Sequence, residues 1–272
     1  MQTSLFEIPQ LNEAHQPPLQ QCSVSGSTFV NADCFDVFPF MDYQKVDCVI
    51  ADLPYGTTDC KWDSVLDLGV LFAQYRRIVK PNGAIILTAS QPFTSVLVSH
   101  WVHNFKTEWI WQKNAGSNFG TCKYVPMKEH ESVLVFSNGG GKTTYNPIMQ
   151  ERAESGKSRV KTKIKGSSNG KAQVYENGGL FPIEFMANEL RYPSSIQKFN
   201  RERGLHPTQK PVELMEYLIK TYTNENEIVL DNTMGSGTTG LACLKTNRQF
   251  IGIEKEKQYY DVAVRRLSEY CG

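Results

Sequence analysis

The residues Asp52-Leu53-Pro54-Tyr55 place a carboxylate, a rigid turn and an aromatic ring directly after the apolar run VDCVI. A strand that ends in this way presents polar atoms at the rim of a sheet, which is where ligands bind in open α/β folds. The alternative is a type I turn in which Pro54 sets φ and Tyr55 caps the core. The other polar motifs of the chain must decide between a site and a turn.

A second motif, VLDNTMGSGTTG at 229–240, follows an apolar strand pattern and opens a helical one. Gly235 and Gly237 allow tight turning and a close approach of the backbone to a ligand. The motif is not a Walker phosphate loop, because no lysine follows the second glycine, and it only half matches the dinucleotide pattern GxGxxG. Glu254 ends the next strand, 19 residues after Gly235, where an acid is placed to bind ribose hydroxyls. A site for an adenosyl group without a device for phosphate indicates S-adenosylmethionine, and the alternative is an ordinary strand-to-helix turn.

The motif HPTQKP at 206–211 stands directly before a predicted helix. It contains His206, Thr208 and Lys210, and the helix that begins at Pro211 adds free backbone N–H donors. These groups suit a carboxylate, such as the one at the methionine end of S-adenosylmethionine. We therefore expect this motif to bind the cofactor.

Strand and helix patterns alternate at both ends of the chain, which is typical of a parallel sheet with helices on both faces. Apolar runs predict strands at 45–52, 84–89, 107–113, 132–137, 227–231 and 249–254. Apolar residues at helical spacing predict helices at 64–80, after Pro211, at 238–246 and at 259–270. The three motifs then fall at strand ends or helix starts, where polar side chains can meet a ligand.

The formal net charge of +1 conceals an uneven distribution of charge. Residues 138–205 hold 12 lysines and arginines against 6 acidic residues, whereas the rest of the chain holds 17 against 22. In GKSRVKTKIKG every second residue is basic, so an extended backbone would project all of these side chains to one side. They are Lys157, Arg159, Lys161, Lys163 and Lys165. The segment indicates an anionic partner, and the alternative is a solvated hairpin or loop.

The seven cysteines show no CxxC spacing, so neither a zinc site nor a disulfide framework is expected. No apolar run approaches the roughly 20 residues that span a bilayer, and the first residues lack the layout of a signal peptide. Hydrophobic residues make up 40% of the chain, which excludes a disordered protein. We therefore expect a folded cytoplasmic protein that neither enters a membrane nor binds a metal.

The three motifs together resemble those of the amino-group DNA methyltransferases, which make N6-methyladenine or N4-methylcytosine. Their order is that of the permuted beta group, because Asp52 precedes Gly235 by 183 residues and the basic segment lies between them. The chain also resembles this family in NADCFD (31–36), WD (62–63), KEHESVLVFSNG (128–139) and RYPSSI (191–196). The resemblance covers nearly all of the chain from about Ser27.

The resemblance implies an α/β, Rossmann-like methyltransferase fold with a mixed, mostly parallel sheet and a circularly permuted order of motifs. It implies an N-terminal extension at 1–26, a catalytic and cofactor-binding domain at 27–137 and 206–272, and a target-recognition insertion at 138–205. It leaves open whether the chain forms a homodimer and whether a cognate restriction enzyme accompanies it.

The activity that the resemblance implies is transfer of a methyl group from S-adenosylmethionine to the exocyclic amino group of a base in double-stranded DNA. Adenine N6 is expected ahead of cytosine N4, and the base must be flipped out of the duplex before it can react. The rival classes are a methyltransferase for RNA bases or protein amides, and a non-catalytic DNA-binding relative of the fold. Motif order and the basic insertion argue against the first, and intact Asp52, Tyr55 and Gly235 argue against the second.

The family's catalytic roles map onto the stretch that follows the first strand. Asp52 would accept one N–H of the amine and the main-chain carbonyl of Leu53 or Pro54 the other, which directs the nitrogen lone pair at the methyl group. The ring of Tyr55 would stack on the flipped base. Leu53 stands where the family usually has proline, and that position acts through its carbonyl.

The family's cofactor contacts map onto strand ends, the glycine loop and HPTQKP. They are expected from Asp33, Asp52, His206, Thr208, Lys210, Asp231, Gly235, Gly237, Thr238 and Glu254. The alternative for Asp33 is that it caps the turn after its strand. Asn232 and Thr233 replace the Pro-Phe that more often follows the acid of the loop. The five alternating basic residues of 157–165 are expected to bind DNA phosphates.

Overall fold

The computed structural model describes residues 20–56, 66–139, 142–154, 190–202, 204 and 209–271. Three parts of the predicted site lie outside the described residues. They are the alternating basic residues of 157–165, the WD pair at 62–63, and His206 with Thr208.

The strands of the described residues fall into one large sheet and one small pair. They are β1 (Gln20–Val24), β2 (Ser27–Asn31), β3 (Val46–Ala51), β4 (Val79–Ala89), β5 (Phe105–Ser117), β6 (Lys128–Ser137), β7 (Gln150–Glu151), β8 (Leu190–Arg191), β9 (Ile196–Lys198), β10 (Ile228–Asp231) and β11 (Gln249–Glu254). The large sheet has the order β1-β2-β11-β10-β3-β4-β6-β5-β9. Neighbours from β2 to β4 run parallel, whereas β6 is antiparallel to both β4 and β5. The sheet is mixed and mostly parallel, which confirms the expected fold class.

Helices cover both faces of the large sheet. They are α1 (Cys34–Val37), α2 (Leu68–Ile78), α3 (Phe93–His100), α4 (Val212–Tyr222), α5 (Thr238–Lys245) and α6 (Lys257–Cys271), with short 3-10 turns at Phe38–Phe40, Val102–Asn104 and Phe119–Thr121. One apolar core packs the sheet against α1, α2 and α3, and the other packs it against α4, α5 and α6. Within the described ranges, no helix combines the length and apolar character that crossing a membrane would require.

The side chains of β3 alternate between the two cores, as expected for a strand that is buried on both faces. Val49 and Ala51 pack on the α2 side, whereas Cys48 and Ile50 pack on the α4 side. Asp52 follows them in this alternation, at the carboxyl end of the strand and on the α4 side. The same apolar run that makes β3 recognisable therefore also fixes the direction of the carboxylate.

The structure corrects two predicted boundaries. The helix predicted from residue 64 begins at Leu68, because the carboxylate of Asp67 accepts a hydrogen bond from the N–H of Val70 at 3.0 Å and caps the helix there. The strand predicted from residue 84 begins at Val79, because Val79 pairs with Val46 and a bulge follows.

The chain divides into two compact units, and the smaller one is Pro147–Ser194. Its described strands β7 and β8 are antiparallel, and Nε of Arg152 donates to the carbonyl of Leu190 at 2.9 Å. This unit lies within the segment 138–205 that the sequence analysis assigns to target recognition. Strand β9 falls in the same segment but pairs with β5 in the large sheet, so the sheet resumes before residue 205.

Candidate active site

The glycine loop, residues 232–237, joins β10 to α5 and is tied to the end of β11. The N–H of Gly235 donates to Oε2 of Glu254 at 2.9 Å, and the N–H of Glu256 donates to Oε1 at 2.8 Å. Among the described contacts, each of these oxygens keeps a lone-pair position that a ligand hydroxyl could use. Burial raises the pKa of Glu254 above its ordinary value.

The two glycines of the loop have backbone conformations that other residues rarely adopt. Gly235 has a φ of 51° and Gly237 a φ of 75°. A Cβ at Gly237 would lie 2.9 Å from side-chain atoms of Ala263 and Leu267. Helix α6 therefore packs so closely on the loop that only glycine fits, and α5 begins at the next residue, Thr238.

Asp231 ends β10 and is buried beneath the glycine loop. Its Oδ1 accepts from the N–H of Thr233 at 3.1 Å and its Oδ2 from the hydroxyl of Thr239 at 2.6 Å. Burial raises the pKa of Asp231 to about 7, and the negative charges of Asp52 and Glu254 add to this effect. Three carboxylates thus share one electrostatic environment at the carboxyl ends of β3, β10 and β11, which suits a cationic ligand.

The residues that replace Pro-Phe in the glycine loop have specific partners. The hydroxyl of Tyr75 donates to Oδ1 of Asn232 at 2.6 Å inside the protein. The hydroxyl of Thr233 donates to the main-chain carbonyl of Asp52 at 3.1 Å. The departure from the usual pattern therefore joins the glycine loop directly to the Asp52 turn.

Asp33 caps a short helix. Its Oδ1 accepts from the N–H of Phe35 at 3.0 Å, and its Oδ2 lies 3.1 Å from Nζ of Lys255. These contacts account for an acid at this position through the local structure of α1 alone.

Three donors in the described part of the chain bind the carboxylate of Asp52. Its Oδ1 accepts from the hydroxyl of Tyr55 at 2.7 Å and also from the hydroxyl of Thr88. Its Oδ2 accepts from the ammonium of Lys210. The side chain of Asp52 is 24% exposed and that of Lys210 is 8% exposed, so the carboxylate is the member of this pair that faces outward.

The residues after Asp52 divide between packing and exposure. The side chain of Leu53 is buried in the core on the α2 side. The ring of Tyr55 lies half-buried, with its centroid 5.2 Å from that of Phe93 and the two planes 31° apart. Burial raises the pKa of Tyr55 well above its ordinary value, and the charges of Asp52 and Glu131 add to this. The hydroxyl therefore stays protonated and continues to donate.

Lys210 is buried between two carboxylates. Its Nζ contacts Asp52 and lies 3.6 Å from Oε2 of Glu131, and Oε1 of Glu131 accepts from the ammonium of Lys113. Burial alone would lower the pKa of Lys210, but Asp52 and Glu131 raise it above its ordinary value. Burial alone would raise the pKa of Glu131, but Lys210 and Lys113 hold it below its ordinary value. The four groups form a chain of alternating charge, which we call the ion chain.

A comparison with protein families shows which family has a sequence of this kind. The model of the N6/N4 methyltransferases, described as DNA methylase, matches residues 46–265, a range that contains the Asp52 turn, the glycine loop and the ion chain. The chain belongs to this DNA methylase family.

Curated relatives of the DNA methylase family align with most of the chain. The type II methyltransferase M.HpaI of Haemophilus parainfluenzae is 28% identical, over 85% of this chain and 71% of its own length. The DNA adenine methyltransferase YhdJ of Escherichia coli K12 is 27% identical, over 89% of this chain and 83% of its own length.

Solved structures show the same fold. The M1.HpyAVI–SAM complex has a TM-score of 0.58 at 28% identity and covers 88% of this chain and 98% of its own. The cytosine-N4-specific PvuII DNA methyltransferase has a TM-score of 0.63 at 15% identity and covers 90% of this chain and 87% of its own. These comparisons confirm the expected fold, the expected class of enzyme, a DNA methyltransferase, and its cofactor, S-adenosylmethionine.

The carboxyl edge of the sheet fits this cofactor. S-adenosylmethionine carries a sulfonium and an ammonium, and the carboxylates of Asp52 and Glu254 lie at this edge, with Asp231 buried beneath the glycine loop. The glycine loop, where a phosphate-binding site would need a cation, has no lysine or arginine between 231 and 240. The donor set therefore suits a positively charged adenosyl compound that lacks phosphate.

Among the described residues of the DNA methylase structure, one group of predicted site residues surrounds the glycine loop, and a second group lies at the start of α4. The Asp52 turn, the glycine loop and Glu254 come together at one edge of the sheet. The ammonium of Lys210 contacts Asp52 and Glu131, and the backbone N–H of Val212 at the start of α4 donates to the carboxylate of Glu202 at 2.9 Å. In the described residues, both groups that the sequence analysis offers to a cofactor carboxylate thus have acidic partners within the chain.

Thr88, Glu131 and Lys113 also belong to the site, although no motif in the sequence indicated a role for them. They continue apolar series that face α4, and each stands where its series reaches the carboxyl edge of the sheet. The series are Cys48 and Ile50 before Asp52, Ala84 and Ile86 before Thr88, Trp109 and Trp111 before Lys113, and Val135 and Val133 before Glu131. The signal that could have found them is a polar residue in the inward position at the end of an alternating apolar strand.

Proposed function

We propose that this DNA methyltransferase acts on the exocyclic amino group of a flipped base, with adenine N6 as its target. The observation that carries the proposal is the position of Asp52. Its carboxylate is 24% exposed at the end of β3, and its carbonyl is joined to the glycine loop through Thr233 at 3.1 Å. An acceptor for an amine N–H therefore lies beside the loop that we assign to the cofactor. The 27% identity to a relative named as a DNA adenine methyltransferase supports adenine over cytosine.

The proposed mechanism rests on positioning, because an exocyclic amine is a weak nucleophile whose lone pair is delocalised into the base. The carboxylate of Asp52 accepts one N–H, and the main-chain carbonyl of Leu53 or Pro54 accepts the other, so the lone pair turns toward the methyl group. When bound, the cofactor would supply this methyl group from its sulfonium and leave as a neutral thioether, and the methylated amine would release its extra proton to water. The ring of Tyr55 stacks on the base, a contact worth about 1–3 kcal/mol.

We propose that the cofactor lies against the glycine loop. Each carboxylate oxygen of Glu254 accepts one backbone N–H and keeps a further lone pair, so we assign Glu254 to the ribose hydroxyls. Gly235 and Gly237 allow the adenosyl group to approach the backbone closely. Asp52 is 24% exposed and supplies negative charge for the sulfonium and the ammonium, whereas Asp231 is buried beneath the loop and supports it from within. The remaining predicted contacts, Asp33, His206, Thr208 and Thr238, stay part of the proposal.

We propose that the segment 138–205 binds the DNA backbone. Its support is the local excess of 12 basic over 6 acidic residues, since DNA binding depends strongly on neutralised phosphates. The contacts are assigned to Lys157, Arg159, Lys161, Lys163 and Lys165. The relatives named as type II methyltransferases support a cognate restriction enzyme as a further partner. A homodimer and a cytoplasmic location are proposed from the family resemblance and the cysteine pattern of the sequence.

The test is to incubate the protein with duplex DNA and methyl-labelled S-adenosylmethionine, digest the DNA to nucleosides and separate them by mass. We expect N6-methyladenine, and the Asp52→Ala variant serves as the control for contaminating activity. N4-methylcytosine would move the target to cytosine. Label in RNA or protein but not in DNA would contradict the proposed function.

A further inference from the structure

Lys210 lies beside the reacting centre, yet the methyl transfer proposed above gives it no part. Its side chain is 8% exposed and its ammonium contacts Oδ2 of Asp52, the oxygen opposite to the one that Tyr55 and Thr88 bind. A buried lysine is costly unless it is paired, so its presence against the outward-facing carboxylate calls for a physical reason.

The hydrogen bonds of Asp52 show which oxygen can meet an amine. An ionised carboxylate offers about four lone-pair positions, two on each oxygen. The hydroxyls of Tyr55 and Thr88 use both positions of Oδ1. Among the described residues, Oδ2 binds only the ammonium of Lys210 and therefore keeps one position. The direction of that remaining lone pair depends on where the ammonium is held.

The rest of the ion chain holds this ammonium from behind. A lysine side chain is flexible and does not fix a direction by itself. Here Nζ of Lys210 also lies 3.6 Å from Glu131, which accepts from Lys113, and the ammonium of Lys113 lies 5.0 Å above the ring of Trp111. The side chains of Glu131 and Lys113 are 15% and 6% exposed, so water competes little for these contacts.

We propose that Lys210 is a positioning residue for Asp52: held by Glu131 and Lys113, it orients Oδ2 so that one lone pair points at the N–H of the target amine. This inference rests on the proposed function, because it assigns a part in the same methyl transfer. Lys210 acts through Asp52 and touches neither the base nor the methyl group. It differs from the cofactor-carboxylate role that the HPTQKP motif alone suggests, and the two roles predict different measurements.

The first experiment compares Lys210→Met with a control lysine whose acidic partner lies at the other end of β3. Lys80 pairs with Asp47 at 2.6 Å near the amino end of β3, far along the strand from Asp52. Lys80→Met removes an aspartate-bound cation of the same charge, although Lys80 is the more exposed of the two lysines. With saturating DNA and cofactor, Lys210→Met should lower the single-turnover rate about 100-fold, as expected when a reacting group is misplaced. The Kd values for DNA and for S-adenosylmethionine should stay within about twofold, and Lys80→Met should be unaffected in all three measurements.

A double-mutant cycle then tests whether Lys210 acts through Asp52. In the Asp52→Asn background, Lys210→Met should lower the rate by less than about threefold, because the carboxylate that it positions is absent. A purely structural lysine would cost the same factor in both backgrounds. Labelled cofactor allows slow rates to be followed over hours.

A balanced variant protects the test against misfolding. Lys210→Met removes the cation between Asp52 and Glu131 and leaves Asp52 without its charged partner, which can unfold the protein. The double variant Lys210→Met/Glu131→Gln removes one charge of each sign. If circular dichroism shows that Lys210→Met is unfolded, the balanced variant takes its place with the same expected loss of rate.

Three results would overturn the inference: a rate within threefold of wild type, a loss that resides in the Kd for S-adenosylmethionine, or equal losses in the two backgrounds of the cycle. The second of these results would indicate that Lys210 binds the carboxylate of S-adenosylmethionine. Failure of the proposed function is a separate outcome, because the wild-type protein would then transfer no methyl group to DNA, and the inference would fail with it.

Discussion

The glycine loop and the Asp52 turn meet at one edge of the sheet, but they are held in different ways. The loop is fixed by backbone N–H bonds and by packing so close that a Cβ at Gly237 would lie 2.9 Å from its neighbours. The Asp52 turn is fixed by its own Tyr55 and by Thr88 and Lys210 from two other segments, and Glu131 in turn holds Lys210. Space and backbone conformation govern the first region, and charge and orientation govern the second. Substitutions in the loop should therefore change cofactor binding, and substitutions around Asp52 should change the rate.

The largest expected effect is at Asp52 itself. Asp52→Ala removes the acceptor for the amine, and by analogy with the removal of an oxyanion donor the single-turnover rate should fall by about 1000-fold or more. Asp52→Asn keeps an acceptor oxygen without the charge, so its single-turnover rate should fall less. Both variants should fold, because Lys210 keeps Glu131 as a partner, and both should bind DNA like the wild type. A near wild-type rate in Asp52→Ala would remove the catalytic role of this turn.

The next effect concerns the buried acid beneath the loop. The pKa of Asp231 is raised to about 7 in the folded protein, so between about pH 4 and 7 the folded state holds a proton that the unfolded state has released. Stability should therefore fall as pH rises through this window and stay level above it, by an amount on the order of 4 kcal/mol. In Asp231→Asn this contribution should be lost, and the smaller fall that remains should come from Glu254, whose pKa is also raised. Urea unfolding of both proteins at pH 4.5, 6 and 8 measures the difference, and equal pH dependence in the two would contradict it.

The same contrast explains what the sequence could predict. The glycine loop lies in one contiguous motif, and Asp231 and Glu254 end the strands on either side of it, so spacing along the chain is enough to find them. The Asp52 turn is also visible in the sequence, as are Tyr55 and Lys210 among its partners, but no motif indicates a role for Thr88, Glu131 or Lys113. These three residues lie far from Asp52 in sequence, and they reach it, directly for Thr88 and through Lys210 for the other two, only because β4, β6 and β5 stand in a particular order in the sheet. Strand order follows from tertiary packing, which local patterns do not encode.

Substitutions in or beside the glycine loop should weaken the binding of S-adenosylmethionine. Glu254→Ala removes both the acceptor of the Gly235 N–H and the proposed ribose partner, at a cost of about 1–3 kcal/mol in binding. Gly235→Val should bind still less, because valine is strained at a φ of 51°. Calorimetry with S-adenosylmethionine measures both, and the single-turnover rate at saturating cofactor should change much less than the Kd. Unchanged affinity in both variants would contradict the assignment of the loop.

DNA affinity should depend on a third region and leave the other two unaffected. Replacing Lys161, Lys163 and Lys165 by alanine should flatten the dependence of log K on log salt by up to about 0.9 for each phosphate that is no longer neutralised. Cofactor affinity and the rate at saturating DNA should be unchanged, which is the reverse of the result expected for Asp52→Ala. If the slope and the DNA affinity both stay the same, these lysines form only a solvated surface. Fluorescence anisotropy with a labelled duplex at several salt concentrations gives both values.

The smallest effect should separate two roles of a single side chain in the Asp52 turn. Tyr55→Phe deletes the hydroxyl that donates to Oδ1 of Asp52 at 2.7 Å, but Thr88 still binds that oxygen and the ring remains to stack on a base. The rate should therefore fall by about 2- to 12-fold, the value of one ordinary hydrogen bond. Tyr55→Ala also removes the ring and should weaken retention of the flipped base, by about 1–3 kcal/mol of stacking. A duplex with 2-aminopurine at the target position reports base flipping by fluorescence: the signal should persist in Tyr55→Phe and fall in Tyr55→Ala. Equal fluorescence in the two variants would mean that the ring serves only to pack against Phe93.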